Sequence, residues 1–111
     1  MPRQVDGYTV RCKVDQRETE KNRRLLAQYE GWGGHPISYK VQVKQGAKWR
    51  YVGGVYRVLD GEWAGFVNET PESDRLWDLS GWAAEGTMRD LLWRLIPAAE
   101  EHGLISKGGE R

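Results

Sequence analysis

Two runs of alternating residues constrain this chain more than anything else in it. Tyr8, Val10, Cys12 and Val14 alternate with Thr9, Arg11 and Lys13; Ile37, Tyr39, Val41 and Val43 alternate with Ser38, Lys40, Gln42 and Lys44. Successive side chains of a strand point to opposite faces. Each run therefore predicts a strand with apolar residues inward and basic residues outward. Gln45-Gly46 turns the second run, and Trp49 begins a third strand that Gly53-Gly54 interrupts. Glycine within a strand pattern marks a bulge, which shifts the inward–outward phase by one residue. With that shift Trp49, Tyr51, Tyr56 and Val58 share a face, expected to be buried, and Lys48, Arg50 and Arg57 take the other. Asp60-Gly61 predicts a two-residue hairpin that pairs Leu59 with Glu62, Val58 with Trp63 and Tyr56 with Gly65. Arg75 to Leu79 reads as a short edge strand.

Two helices complete the pattern. Asp15 stands three residues before Glu18, as in a capping box, and Gln16 to Tyr29 holds good helix formers without Pro or Gly. Its apolar stripe is only Leu25, Leu26 and Tyr29, so it is expected to dock by its C-terminal half. Thr87 precedes Asp90 in the same way. Met88, Leu91, Leu92, Leu95, Ile96 and Ala99 follow at helical spacing, which makes this the core helix. Pro97 should kink it or end its regular part, Gly103 should close it, and Leu104-Ile105 should fold back on it. The expected class is α+β, an antiparallel sheet of three to five strands with helices packed on one face. Residues 1–105 are read as one compact domain and 106–111 as a mobile tail, a division that suits 111 residues.

Composition narrows the chemistry. Hydrophobic residues make up 39% and charged residues 30%, enough apolar content for a core and too much for disorder by composition. No stretch approaches the roughly 20 apolar residues of a membrane span. The first residues form no apolar signal region, and Cys12 is the single cysteine. A cytoplasmic setting is the expectation. Cys12 falls on an inward position, where it behaves as a small hydrophobe, and nothing in the sequence brings His35 or His102 beside it. Gly31-Trp-Gly-Gly34 lacks the Lys-Ser/Thr of a phosphate loop. The expectation is a non-enzymatic protein with no cofactor and no metal.

The charge is divided along the chain. Residues 1–59 carry twelve basic and five acidic side chains, and residues 60–111 carry five and eleven. The outward strand positions read Arg11, Lys13, Lys40, Lys44, Lys48, Arg50 and Arg57, with no acid between Gly31 and Leu59. A surface of one sign attracts a polyanion by releasing its counterions, and a nearby exposed aromatic such as Trp32 can stack on unpaired bases. The leading expectation is a small module that binds DNA or RNA, with Arg50 and Arg57 central. The alternative is a protein-binding inhibitor or adaptor of the phage or mobile-element type. It would act through Asp60, Glu62, Glu69, Glu72, Asp74 and Asp78 or through exposed Trp residues. Either way a monomer or weak, salt-sensitive self-association is expected.

Residues 16–102, read as helix, three strands and helix, are similar in order to the double-stranded RNA-binding domain. The second helix here opens Thr87-Met-Arg-Asp90, with one base where that family carries a basic cluster. Residues 54–102, with Gly-Val-Tyr-Arg57 and Gly-Glu-Trp63, resemble faintly the three-strand-plus-helix DNA-binding domains of AP2 and phage-integrase arms. No family is assigned on either likeness.

Overall fold

A computed structural model of the chain describes residues 2–28, 37–57, 63–78 and 87–107. The elements run β1 (Arg3–Val5), β2 (Tyr8–Val14), α1 (Gln16–Gln28), β3 (Ser38–Gln45), β4 (Lys48–Arg57), β5 (Trp63–Asn68), β6 (Arg75–Asp78) and α2 (Met88–Glu101). The strands form one antiparallel sheet in chain order, β1 to β6. The α+β class is as expected, but the sheet has six strands where three to five are predicted. The unpredicted strand is β1. It is joined to β2 by Asp6-Gly7, whose φ values of 51° and 81° are both positive, as a type I′ hairpin turn requires.

One face of the sheet carries the core. Val10 pairs with Val43, and Cys12 with Val41. Val52, Val55 and Val67 continue this face across β4 and β5, and all six of these valines are buried. Against them lie Leu91, Leu92, Leu95, Ile96 and Ala99 of α2, together with Leu104 and Ile105. The helix begins where predicted: the Thr87 hydroxyl accepts from the Asp90 amide at 3.1 Å. It runs through Pro97 to Glu101 instead of ending there. Gly103 takes φ 77°, and the Leu104 amide reaches back to the Ala99 carbonyl at 3.0 Å, closing the last turn. Ser106 exchanges hydrogen bonds with Gln45, and Lys107 reaches the Asp6 carbonyl.

Three expectations need correction. First, the β4–β5 register is one residue from the predicted one: Arg57 pairs with Trp63, Tyr56 with Ala64 and Val55 with Gly65. A one-residue slip moves every side chain of a strand to the other face. Trp63, Gly65 and Val67 face α2 in either register, but Tyr56, now paired with Ala64, faces away and is not a partner of Leu91 or Leu95. Val67 is buried, and Gly65 leaves just room for Leu91, whose Cδ2 would lie 3.3 Å from a β-carbon there. Val58, Leu59 and Asp60-Gly61 lie outside the described residues.

Second, the bulge is present, but the two faces of β4 are exchanged. Tyr51 pairs with Gln42 and Gly53 with Val41, which leaves Val52 as the extra residue. As predicted, Trp49, Tyr51 and Tyr56 share one face and Lys48, Arg50 and Arg57 the other. The face against α2 is that of Val52 and Val55, not that of the aromatics. The valines of β2 and β3 decide this, because Val43 is paired with Arg50.

Third, the helices do not share a face. α1 and the side of the sheet opposite α2 bound a common groove. α1 is held at its N-terminal half by a polar cluster; of the expected C-terminal stripe, the side chains of Leu26 and Tyr29 lie outside the described residues. The Ser38 amide donates to the Thr19 hydroxyl at 3.0 Å, the Asp15 amide to the Ser38 carbonyl at 2.7 Å, and Asn22 to the Ser38 hydroxyl at 3.1 Å. Thr19 is 2% exposed, and Leu25, a residue of the expected stripe, is 38% exposed. Asp15 caps the helix by accepting from the Glu18 amide.

Candidate functional site

The face turned away from α2 collects bases and aromatics that the sequence reading assigned to different sides. On β2 and β3 it carries Arg11, Lys13, Lys40, Gln42 and Lys44; on β4 it adds Trp49, Tyr51 and Tyr56; on β5 and β6 it adds Phe66, Asn68 and Arg75. Strand register brings this about, since directly paired residues of an antiparallel sheet share a face. Lys13 and Lys40 are such a pair, like charges set opposite each other. A like-charge cross-strand pair destabilises the sheet unless something between the two cations offsets it. Neither lysine forms an ion pair among the described residues.

The aromatics are tied to arginines. The Arg11 guanidinium lies 4.1 Å from the centre of the Trp49 ring and donates to the Gln42 side chain at 2.7 Å. Arg75 lies 4.3 Å from the centre of the Phe66 ring and pairs with Asp78 at 3.1 Å. An arginine held over a ring is restrained in position and still has N–H donors that can meet phosphate. Phe66 itself crosses Gly54, where a β-carbon would come within 2.6 Å of the ring. Tyr51 donates to Asn68 at 2.7 Å. Burial pushes its phenol up to about 12, and the nearby Asp15 and Glu18 carboxylates push the same way.

A groove of about 1020 Å³ runs between this face and α1. Its floor includes Lys40, Tyr56 and Phe66, and α1 contributes Arg17, Lys21 and Arg24 to its wall. Four acids, Asp15, Glu18, Glu20 and Glu72, also line it, and two of them lie near arginines of α1. Glu20 lies 4.0 Å from Arg23 and 3.8 Å from Arg24, and Glu72 lies 4.0 Å from Arg17.

Of the residues proposed from sequence for nucleic acid, Arg11, Lys13, Lys40 and Lys44 come together on this face. Lys48, Arg50 and Arg57 do not; they stand on the α2 side. Arg50 is half-buried, with its Nε enclosed and without a hydrogen-bond partner. Arg57 lies 5.7 Å from the Trp63 ring centre. Trp32 lies outside the described residues. Of the acidic set, Glu69, Glu72 and Asp74 are exposed in the loop after β5, and Asp78 pairs with Arg75. Asp60 and Glu62 lie outside the described residues. The sequence places Trp49 and Tyr51 after Trp32 as stacking candidates but reads them as core, and it gives no sign of Tyr56, Phe66 or Arg75 as site residues. The Lys44–Trp49 and Gln42–Tyr51 pairings across the Gly46 turn are the signal that places the first two beside the bases.

Cys12 is half-buried on the core face, and burial raises its thiol pKa. Among the described residues no group of three or more His, Cys, Asp or Glu side chains is placed to hold a metal ion, and no helix is long and apolar enough to cross a membrane. Comparison with family models, curated proteins and solved structures finds no match for this chain.

Proposed function

We propose that this protein is a small, non-enzymatic nucleic-acid-binding module, and that its contact surface is the sheet face opposite α2. The observation that carries the reading is the coincidence of charge and rings on that one face. Lys13 and Lys40 stand opposite each other there, beside Arg11 on Trp49. A polyanion relieves the repulsion between the two lysines. Phosphates of a backbone meet ammonium and guanidinium groups together, and each contact releases condensed counterions. Arg17 lies beside Glu72, and Arg23 and Arg24 beside Glu20, which offsets two of the four acids that line the groove. Arg50 and Arg57, the contacts first favoured by sequence, have no part in this site.

A fluorescence titration with a mixed-sequence DNA or RNA probe at two salt concentrations tests the proposal. Affinity should fall steeply with salt. The Lys13→Gln/Lys40→Gln double variant should lower the slope of log affinity against log salt by roughly two, because two phosphate contacts are lost. Arg57→Gln, on the other face, should leave affinity and slope unchanged. Binding that is indifferent to Lys13 and Lys40 but lost with Arg57 would move the site to the α2 side and refute the assignment.

A further inference from the structure

We infer that the ligand of this face is an unpaired nucleic-acid strand lying in the groove between α1 and the sheet, and not a duplex. The inference rests on the nucleic-acid reading above and adds the class of strand. Its first support is shape. α1 stands beside the same face that carries the bases, so the approach is a groove and not an open plane. A volume of about 1020 Å³ lies at the upper end of what whole small ligands occupy. A duplex keeps the faces of its bases stacked inside and offers a protein only phosphates and groove edges. The floor of this groove has more to offer than phosphate contacts.

The second support is the chemistry of that floor. Tyr56 is half-buried there, on β4 beyond the bulge. Phe66 is paired with Gly54 on the same face, and the Arg75 guanidinium lies 4.3 Å from its ring centre. Aromatic faces and guanidinium planes are the surfaces on which splayed, unpaired bases stack. Lys40 on the floor and Lys21 on the wall supply the cations that a backbone running along the groove would meet. Glycine at 54 is what lets this surface form. Any β-carbon at that position would meet the Phe66 ring and lift it into the groove.

The experiment is fluorescence anisotropy on the full chain with three end-labelled probes of equal phosphate number: oligo(dT), oligo(U) and a hairpin duplex. One or both single strands should bind at least tenfold more tightly than the duplex. Tyr56→Ala should weaken single-strand binding about 5- to 150-fold, the fold-change equivalent of losing one stacked base, and leave duplex binding unchanged. Tyr56→Phe keeps the ring and should retain affinity. A circular-dichroism melt of each variant separates lost binding from lost fold. Equal affinity for duplex and single strands, or a folded Tyr56→Ala that binds like the parent, overturns the single-strand inference and leaves the polyanion reading in place. Absence of salt-dependent binding to all three probes overturns that reading itself.

Discussion

The two adjacent glycines of β4 should respond very differently to the same substitution, and the difference tests the bulge that builds the site. At Gly53, with φ 156°, a β-carbon would sit 2.0 Å from the Phe66 carbonyl oxygen and 3.0 Å from the Val67 Cα. Both are backbone atoms of β5, so no side-chain rotation relieves the clash. Gly53→Ala must push β5 away by about 1 Å, enough to lengthen the neighbouring ladder hydrogen bonds past useful geometry. Losing one or two of them costs roughly 0.5–1.5 kcal/mol each. Holding alanine in this backbone conformation adds about 1 kcal/mol or more. The total is about 2–4 kcal/mol, a large share of the roughly 5–15 kcal/mol stability of an ordinary domain. At Gly54 the main obstruction is the far edge of the Phe66 ring, at 2.6 and 2.9 Å, and the nearest backbone atom, the Tyr39 carbonyl oxygen, is at 3.2 Å. That ring can swing aside, giving up its packing on the sheet and its stack under Arg75, for about 1 kcal/mol. Urea melts followed by circular dichroism give both values, and an unchanged m-value would show that the denatured ensemble is not the cause. Gly53→Ala within 0.5 kcal/mol of the parent, or Gly54→Ala as the more damaging of the pair, would refute the account of the bulge.

Leu95→Ala should cost about 2–5 kcal/mol in the same melt, because Leu95 is fully buried in the core; Trp93→Ala, two residues away and 46% exposed, should stay within about 0.5 kcal/mol. Thr87→Ala removes the α2 cap and should cost about 1 kcal/mol. Tyr51 should show an ionisation step near about 12, the value to which burial pushes it, in an ultraviolet titration. Its folded pKa lies above the unfolded one, so its contribution is complete below pH 10.0 and declines as pH rises toward about 12. Tyr51→Phe should remove both the step and that pH dependence. Light scattering across a salt series should find a monomer at moderate salt and loose association only at low ionic strength, since exposed ion pairs are individually weak. A dimer that persists in high salt would require an apolar contact instead, such as one through the exposed Leu76 of edge strand β6.

Much of the frame is legible in the residues because local rules act without competition there. Valine alternation defines β2 and β3, Thr87 and Gly103 mark the ends of α2, and its leucine spacing marks the core helix. The site is less legible, for three physical reasons. β4 is apolar on both faces: Trp49 and Tyr51 on one, Val52 and Val55 on the other. Period two separates such faces but does not say which is inside. The neighbouring strand decides, through the Val43–Arg50 pairing. The hairpin signal at Asp60-Gly61 suggests a two-residue loop that would set Tyr56 opposite Gly65, yet the observed register sets buried Val55 there instead. The same Asp-Gly signal at Asp6-Gly7 was readable and marks the unpredicted β1. Finally, α1 is anchored by Thr19, Asn22 and Ser38, polar residues whose convergence leaves no periodic trace in the chain.

The charge division along the sequence acquires its meaning from the topology. Because the strands lie in chain order with no crossover, neighbours in sequence are neighbours in space. The basic half thus becomes β1 to β4 with α1, and the acidic half becomes β5, β6, their loop and α2. Charge polarity along the chain is converted into polarity across the sheet. Arg75 is the exception in its strongly acidic stretch, and it is the residue whose guanidinium lies over Phe66, toward the basic side. On the proposed reading, phosphates are held over β2 and β3, where Arg11, Lys13, Lys40 and Lys44 stand. The same backbone is repelled beyond β5, where Glu69 and Asp74 lie exposed. Attraction at one flank and repulsion at the other confine a flexible polyanion to the strip between them, which is the strip that holds Trp49, Tyr56 and Phe66. Ring contacts can then be made without a long search along the surface, because the field of the sheet has already limited where the strand can lie.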